Sequence, residues 1–144
     1  MNKDESEIRD VLAEFTSAVR AKHAATALAL LAKADERTFD LRQPLQNGPA
    51  LSHDPALEDW FATWKGPIVS ESYDLTVAVG GDVAYAYGIE HLTGTKRGVE
   101  NVDLWFRLTA CLLHEGGRWR ITRMHNFVPF AIDGIDKETL DLKP

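Results

Sequence analysis

Only one cysteine, Cys111, stands in the chain, so no internal disulfide can form. It lies in an apolar run, where cysteine behaves as a small buried hydrophobe, and nothing around it favours a catalytic thiolate. No run reaches the ~18 apolar residues needed to span a bilayer. The start, Met1-Asn2-Lys3-Asp4-Glu5, is polar and leads into no apolar signal segment. A cytoplasmic location is therefore expected. Basic residues are outnumbered, 16 Lys and Arg against 22 Asp and Glu, for a net charge of −6. Phosphate backbones require a basic surface, so nucleic acid is not an expected partner. The histidines show no ligand spacing such as i and i+4 on a helix, which argues against a metal site. The paired glycines, Gly80-Gly81 and Gly116-Gly117, read as hairpin turns. No phosphate-binding loop or nucleophile elbow is visible.

With 44 % hydrophobic and 26 % charged residues over 144 positions, the composition fits one packed domain spanning residues 1–144. A domain of this size buries about two-thirds of its unfolded surface, enough to enclose a core and a pocket. Ile8, Val11, Leu12, Phe15 and Val19 recur at helical spacing and predict a first helix with one apolar stripe. Asp4 followed by Glu7 has the form of a capping box. A second, Ala- and Leu-rich helix is expected over 24–33, with Leu28 and Leu31 facing the core. Arg37 to Leu41 reads as a short strand, and 43–53, with its prolines, as loop. Asp54 and Pro55 suit the start of a third helix, which Lys65-Gly66-Pro67 would end. Leu57, Phe61 and Trp64 then share a face.

Beyond Ile68 the period changes to two. Tyr73, Leu75, Val77 and Val79 alternate with polar or small residues, as in a half-buried strand. Return strands are expected over 83–92, 99–113 and 119–130, with turns at Gly80-Gly81, 94–98 and 115–117. Consecutive hairpins make the sheet antiparallel and the fold class α+β.

Four segments stand out in this order. They are Thr38-Phe39-Asp40-Leu41, Trp60-Phe61-Ala62-Thr63-Trp64-Lys65-Gly66-Pro67-Ile68, Val102-Asp103-Leu104-Trp105-Phe106-Arg107, and Gly117-Arg118-Trp119-Arg120-Ile121 leading to His125 and Val128-Pro129-Phe130. On these, nearly the whole chain resembles the SnoaL-like and ketosteroid-isomerase-like group of the nuclear-transport-factor-two-like superfamily. The resemblance implies a cone-shaped, cystatin-like fold, with about three helices on a curved antiparallel sheet. It implies no single activity, because the group holds isomerases, cyclases, dehydratases, epoxide hydrolases and non-catalytic binding domains. Relatives often carry a capping Asp near His23, an aromatic near Leu31, and His or Glu where Arg123 and Met124 stand. The last departure removes possible acid–base groups.

Asp40 ends a short apolar strand. The resemblance sets it beside the general base of ketosteroid isomerases, and an isolated carboxylate in an apolar setting can shuttle a proton. The plainer alternative is an Asp that bonds backbone donors at a loop entrance. Asp103, two residues before Trp105, resembles the oxyanion-binding Asp of the same enzymes. Val102, Leu104, Phe106 and Leu108 form one face of its strand; Asn101, Asp103, Trp105, Arg107 and Thr109 form the other. That second face is either a polar-edged pocket wall or a solvent or dimer face where Asp103 pairs with Arg107. His125 is a further candidate, since imidazole titrates near neutral pH. A three-residue loop at Glu115-Gly116-Gly117 aligns it with Asp103, Trp105 and Arg107, and a two-residue loop with Phe106 and Leu108. It also reads as a half-buried structural histidine. The aromatic residues Trp60, Trp64, Tyr85, Tyr87 and Trp105 can wall a cavity or fill a core.

These residues suit a cofactor-free small-molecule enzyme of ketosteroid-isomerase or polyketide-cyclase type. Asp40 or His125 would move a proton beside the carbonyl of an apolar cyclic or aromatic compound, and Asp103 or Arg107 would stabilise the oxyanion. Trp60, Trp64, Tyr87, Trp105 and Arg107 would contact the substrate. The alternatives are a non-catalytic domain binding a hydrophobic metabolite and a dimerisation module. A homodimer is expected, because so few helices cover only one face of a sheet. No metal, nucleic acid or membrane enters this reading.

Overall fold

A computed structural model describes residues 2–32, 37–39, 46–47 and 54–127. Helix α1 (Lys3–Ala21) buries Ile8 and Leu12 against the sheet, with Val11 and Phe15 beside them, as the apolar stripe predicts. Its cap is Asn2, whose Oδ1 accepts from the Glu5 N–H at 2.8 Å. Asp4, expected in that role, sits in the first turn and accepts from Trp119 Nε1 at 3.2 Å, tying the helix to the sheet. At the other end Lys22 turns left-handed, with φ 59°. Its Nζ donates to the Trp64 carbonyl at 2.7 Å.

Helix α2 (Ala24–Leu28) is shorter than expected. The Ile121 N–H donates to the Leu30 carbonyl at 2.9 Å, and the Ala32 N–H to the Ile121 carbonyl at 2.7 Å. Strand-like pairing beside Leu31 thus replaces the last helical turn. There follow β1 (Arg37–Phe39), β2 (Gln46–Asn47), α3 (Asp54–Ala62), β3 (Trp64–Gly80), β4 (Val83–Lys96), β5 (Val99–Glu115) and β6 (Arg118–Phe127). Helix α3 closes early because Thr63 bonds back to the Trp60 carbonyl through both its N–H (3.0 Å) and its Oγ1 (2.6 Å). Trp64 therefore opens a strand, yet it is buried with Leu57 and Phe61 as the spacing implies.

The described strands form one sheet in the order β2-β1-β6-β5-β4-β3. β1 joins β6 in parallel, and the other neighbours are antiparallel. The long strands β3 to β6 are consecutive hairpins, as the alternation predicts. Their turns are Gly81-Asp82, Arg97-Gly98 and Gly116-Gly117, the first one residue later than expected. Gly116 and Gly117 both take positive φ, 61° and 81°, as a type I′ hairpin requires.

Two breaks in register bend β3, at Lys65/Val69 and at Tyr73/Thr76. Arg9 of α1 braces the second, its Nη2 donating to the Leu75 carbonyl at 3.0 Å. A third break sets Cys111 opposite Arg123 but Leu112 opposite Ile121, so Thr122 is an extra residue in β6.

The helices cover one face of this curved antiparallel sheet, which makes the fold α+β. Ile8 and Leu12 of α1 share one buried cluster with Ala84, Ala86, Ala110, Leu112, Trp119 and Ile121 of the sheet. A second cluster, with Ala18, Ala27, Phe61, Trp64 and Ile68, forms where the helices meet the end of the sheet. Among the described residues, Val83, Tyr85, Tyr87 and Phe127 are the exposed large hydrophobic ones. All four lie on the sheet's other face, in phase with Trp105 and Cys111. No described helix is long and apolar enough to cross a membrane.

Candidate functional site

Between the two clusters lies a cavity of about 350 Å³. Phe15 and Val19 of α1 and Trp60 of α3 stand over it, and Leu92, Leu104 and Phe106 of the sheet line its floor. Glu90 also lines it and is the one buried charged side chain among the described residues, 5 % exposed. The register sets Glu90 between Ser72 and Phe106. Ser70 Oγ donates to Glu90 Oε2 at 2.5 Å, and Ser72 Oγ donates to Oε1. Strand phase explains the group: Glu90 shares the inward row of Ala84 and Ala86. A carboxylate held in an apolar cavity needs such donors.

Thr16, Lys96, Thr122, Arg123, Trp64 and Asn126 add further polar atoms to the lining. Trp64 Nε1 and Asn126 Oδ1 are buried with no hydrogen-bond partner. Lys96 lies at the Trp64 end, its Nζ 5.2 Å from the indole centroid. Trp60 meets Trp64 edge-on at 5.8 Å.

Of the residues singled out in the sequence, Trp60 and Trp64 line this cavity. Asp40 lies outside the described residues. Asp103, Trp105, Arg107, Tyr87 and His125 are on the opposite face of the sheet. Asp103 is exposed (68 %), and its Oδ1 accepts from His91 Nε2 at 2.7 Å rather than from Arg107. The His91 ring stacks on Trp105 at 4.0 Å, nearly parallel. Tyr87 stacks on Tyr85 at 6.1 Å and is 47 % exposed. His125 pairs with Thr109 and is exposed. The turn before it has two residues, which alone would direct His125 to the Leu108 face. The extra residue Thr122 reverses that phase.

The sequence reading passed over Glu90, Ser70, Ser72 and Asn126. The available signal was the phase of β4: a Glu in step with Ala84 and Ala86, across a hairpin from Ser-x-Ser. On the outer face the Tyr73 hydroxyl donates to Glu71 Oε2 at 2.9 Å. That bond, then partial burial and the carboxylate's charge, raises the Tyr73 pKa above 10.0. No cluster of three or more metal-ligating side chains is present among the described residues.

Helices on one face of a curved antiparallel sheet define the cystatin-like α+β class. The chain belongs to the SnoaL-like domain family, whose model matches residues 8–131. No curated protein matches it. Among solved structures it is similar to an NTF2-like protein of unknown function from Pseudomonas putida KT2440. The two are 29 % identical with a TM-score of 0.80, over 97 % of this chain and 96 % of that one. An NTF2-like protein with a cystatin-like fold from Novosphingobium aromaticivorans is 19 % identical, with a TM-score of 0.66 over 92 % and 84 % of the chains. A candidate ketosteroid isomerase from Shewanella frigidimarina NCIMB 400 is 21 % identical, with a TM-score of 0.68 over 87 % and 98 %.

Proposed function

We propose that this protein is a cofactor-free enzyme that moves a proton on a small apolar carbonyl compound, with Glu90 as the base. One observation carries this reading: Glu90 is buried in a cavity otherwise walled mainly by aliphatic and aromatic side chains. A carboxylate offers about four acceptor positions, so two serine bonds leave it able to take a proton. Glu90 would remove hydrogen from the carbon beside the carbonyl. The C–H electron pair shifts toward the carbonyl oxygen, and the proton returns at another carbon to complete an isomerisation. Trp60 and Trp64 would hold the substrate. Asp103 and His125, on the far face, have no role in this reading, and Asp40, expected as the base, becomes a second carboxylate beside Glu90's chemistry. The candidate isomerase among the similar structures supports this at the level of fold alone. A cytoplasmic homodimer, paired through the face that carries Tyr85 and Tyr87, belongs to the same proposal.

A second reading, a non-catalytic binding domain, is favoured by the two serine hydroxyls that already occupy both Glu90 oxygens. Hydrogen exchange of β-tetralone in deuterium oxide, followed by NMR, separates the two. The parent should accelerate exchange over buffer, and Glu90→Gln should lose about a hundredfold or more of that acceleration. If β-tetralone binds and its exchange stays at the buffer rate, the binding reading replaces the enzyme.

A further inference from the structure

We infer that the cavity takes an elongated apolar molecule with an oxygen acceptor at one end and a hydroxyl at the other. This rests on the cavity being a small-molecule site and not on catalysis at Glu90. A volume of about 350 Å³ is at the small end of the ~300–1,000 Å³ typical of ligand pockets, so a single slim molecule fills it.

The two orphan atoms set the polarity of its ends. Trp64 is 3 % exposed and its indole N–H finds no acceptor, an arrangement native proteins avoid unless something else supplies the partner. A Cβ built on Gly94 would lie 3.0 Å from Cζ3 and 3.1 Å from Cε3 of Trp64. The benzene edge of the indole therefore rests on β4 at Gly94. Nε1 is on the opposite edge and points away from that backbone. A carbonyl or carboxylate oxygen is the chemistry that satisfies this N–H.

Asn126 lines the cavity on β6, with Met124 and Ile121 lining it farther from Trp64. Asn126 pairs with Leu108, which pairs with Gly88. Gly88 and Gly94 are six positions apart on β4. At ~3.3 Å per residue the two anchors are up to about 20 Å apart along the strand, less across the chord of a curved sheet. Leu92, Leu104 and Phe106 line the stretch between them, and Glu90 there is engaged by Ser70 and Ser72. A hydroxyl suits Asn126 because it both donates and accepts, and so serves either end of the amide.

The test uses the full chain with ω-hydroxydodecanoic acid and dodecanoic acid, read by calorimetry and by the indole N–H resonances. Both acids should bind the parent and shift the Trp64 N–H downfield, assigned by its absence in Trp64→Phe. Trp64→Phe should weaken both acids about tenfold, the loss of one hydrogen bond. Asn126→Leu should weaken only the hydroxy acid. Should Trp64→Phe misfold, the Trp64 resonance in the parent still decides. If both acids bind with that resonance unmoved and with no preference for the hydroxyl, the assignment of the ends is overturned and the cavity reading stands. If neither acid nor β-tetralone binds, both fall.

Discussion

On the face that the helices leave open, Trp105 is only 9 % exposed. His91 covers one side of it at 4.0 Å, and Tyr73 meets it at 5.4 Å. Burial here is made by neighbouring strands, side chain on side chain, which is how an open sheet face stays ordered. Trp105→Ala is expected to cost about 3 to 5 kcal/mol in denaturant unfolding; a loss under about 1 kcal/mol would show that this packing contributes little. Tyr73 supplies a pH signature. Folding raises its pKa, so the folded state holds the phenolic proton more tightly than the unfolded chain does. The resulting stability is complete below pH 10.0, the ordinary tyrosine value, and is lost as pH climbs through the raised one. Tyrosinate absorbance should therefore reveal one late-titrating group, and Glu71→Gln, which removes the acceptor's charge, should bring it earlier.

Register decides which residues of β6 meet the cavity. Thr122, the extra residue, puts Met124 and Asn126 inward and His125 and Phe127 outward. Deleting Thr122 should straighten the ladder and keep its pairs, with Met124 still opposite Ala110 and His125 still opposite Thr109. We expect the variant to fold with a loss of about 1 kcal/mol or less in denaturant unfolding, because the same side chains still face the core. A loss of about 3 kcal/mol or more would show that the bend made by the bulge, and not only the phase, is needed. The strands and hairpins of the C-terminal half were legible because alternation and paired glycines are local signals. The bulge was not, since nothing in Ile121-Thr122-Arg123 marks an extra residue, and a single insertion moves His125 to the other face. The end of α2 was also hidden: helical propensity extends through Leu31, and only the distant partner Ile121 explains why the helix stops. Glu90 was overlooked because one carboxylate in a strand reads as solvent-facing unless its phase is followed back to Ala84.

At the scale of the molecule, Val83, Tyr85, Tyr87 and Phe127 leave an apolar surface on the uncovered face. Buried in a second copy, these side chains would lose their contact with water, the main drive for association. Sedimentation should show a dimer at micromolar concentration, and Tyr85→Lys with Tyr87→Glu should shift it to monomer; a monomeric parent would overturn the expectation. The parallel seam between β1 and β6, continued by the Leu31–Ile121 bridge, bears on how the protein is made. A ribosome releases the N-terminal half well before β6. During that interval Leu31 and the apolar stripe of α1 lack their seat on β6, and contacts so distant in sequence close slowly. The nascent chain therefore waits with these surfaces exposed, and chaperones should favour it most before β6 emerges.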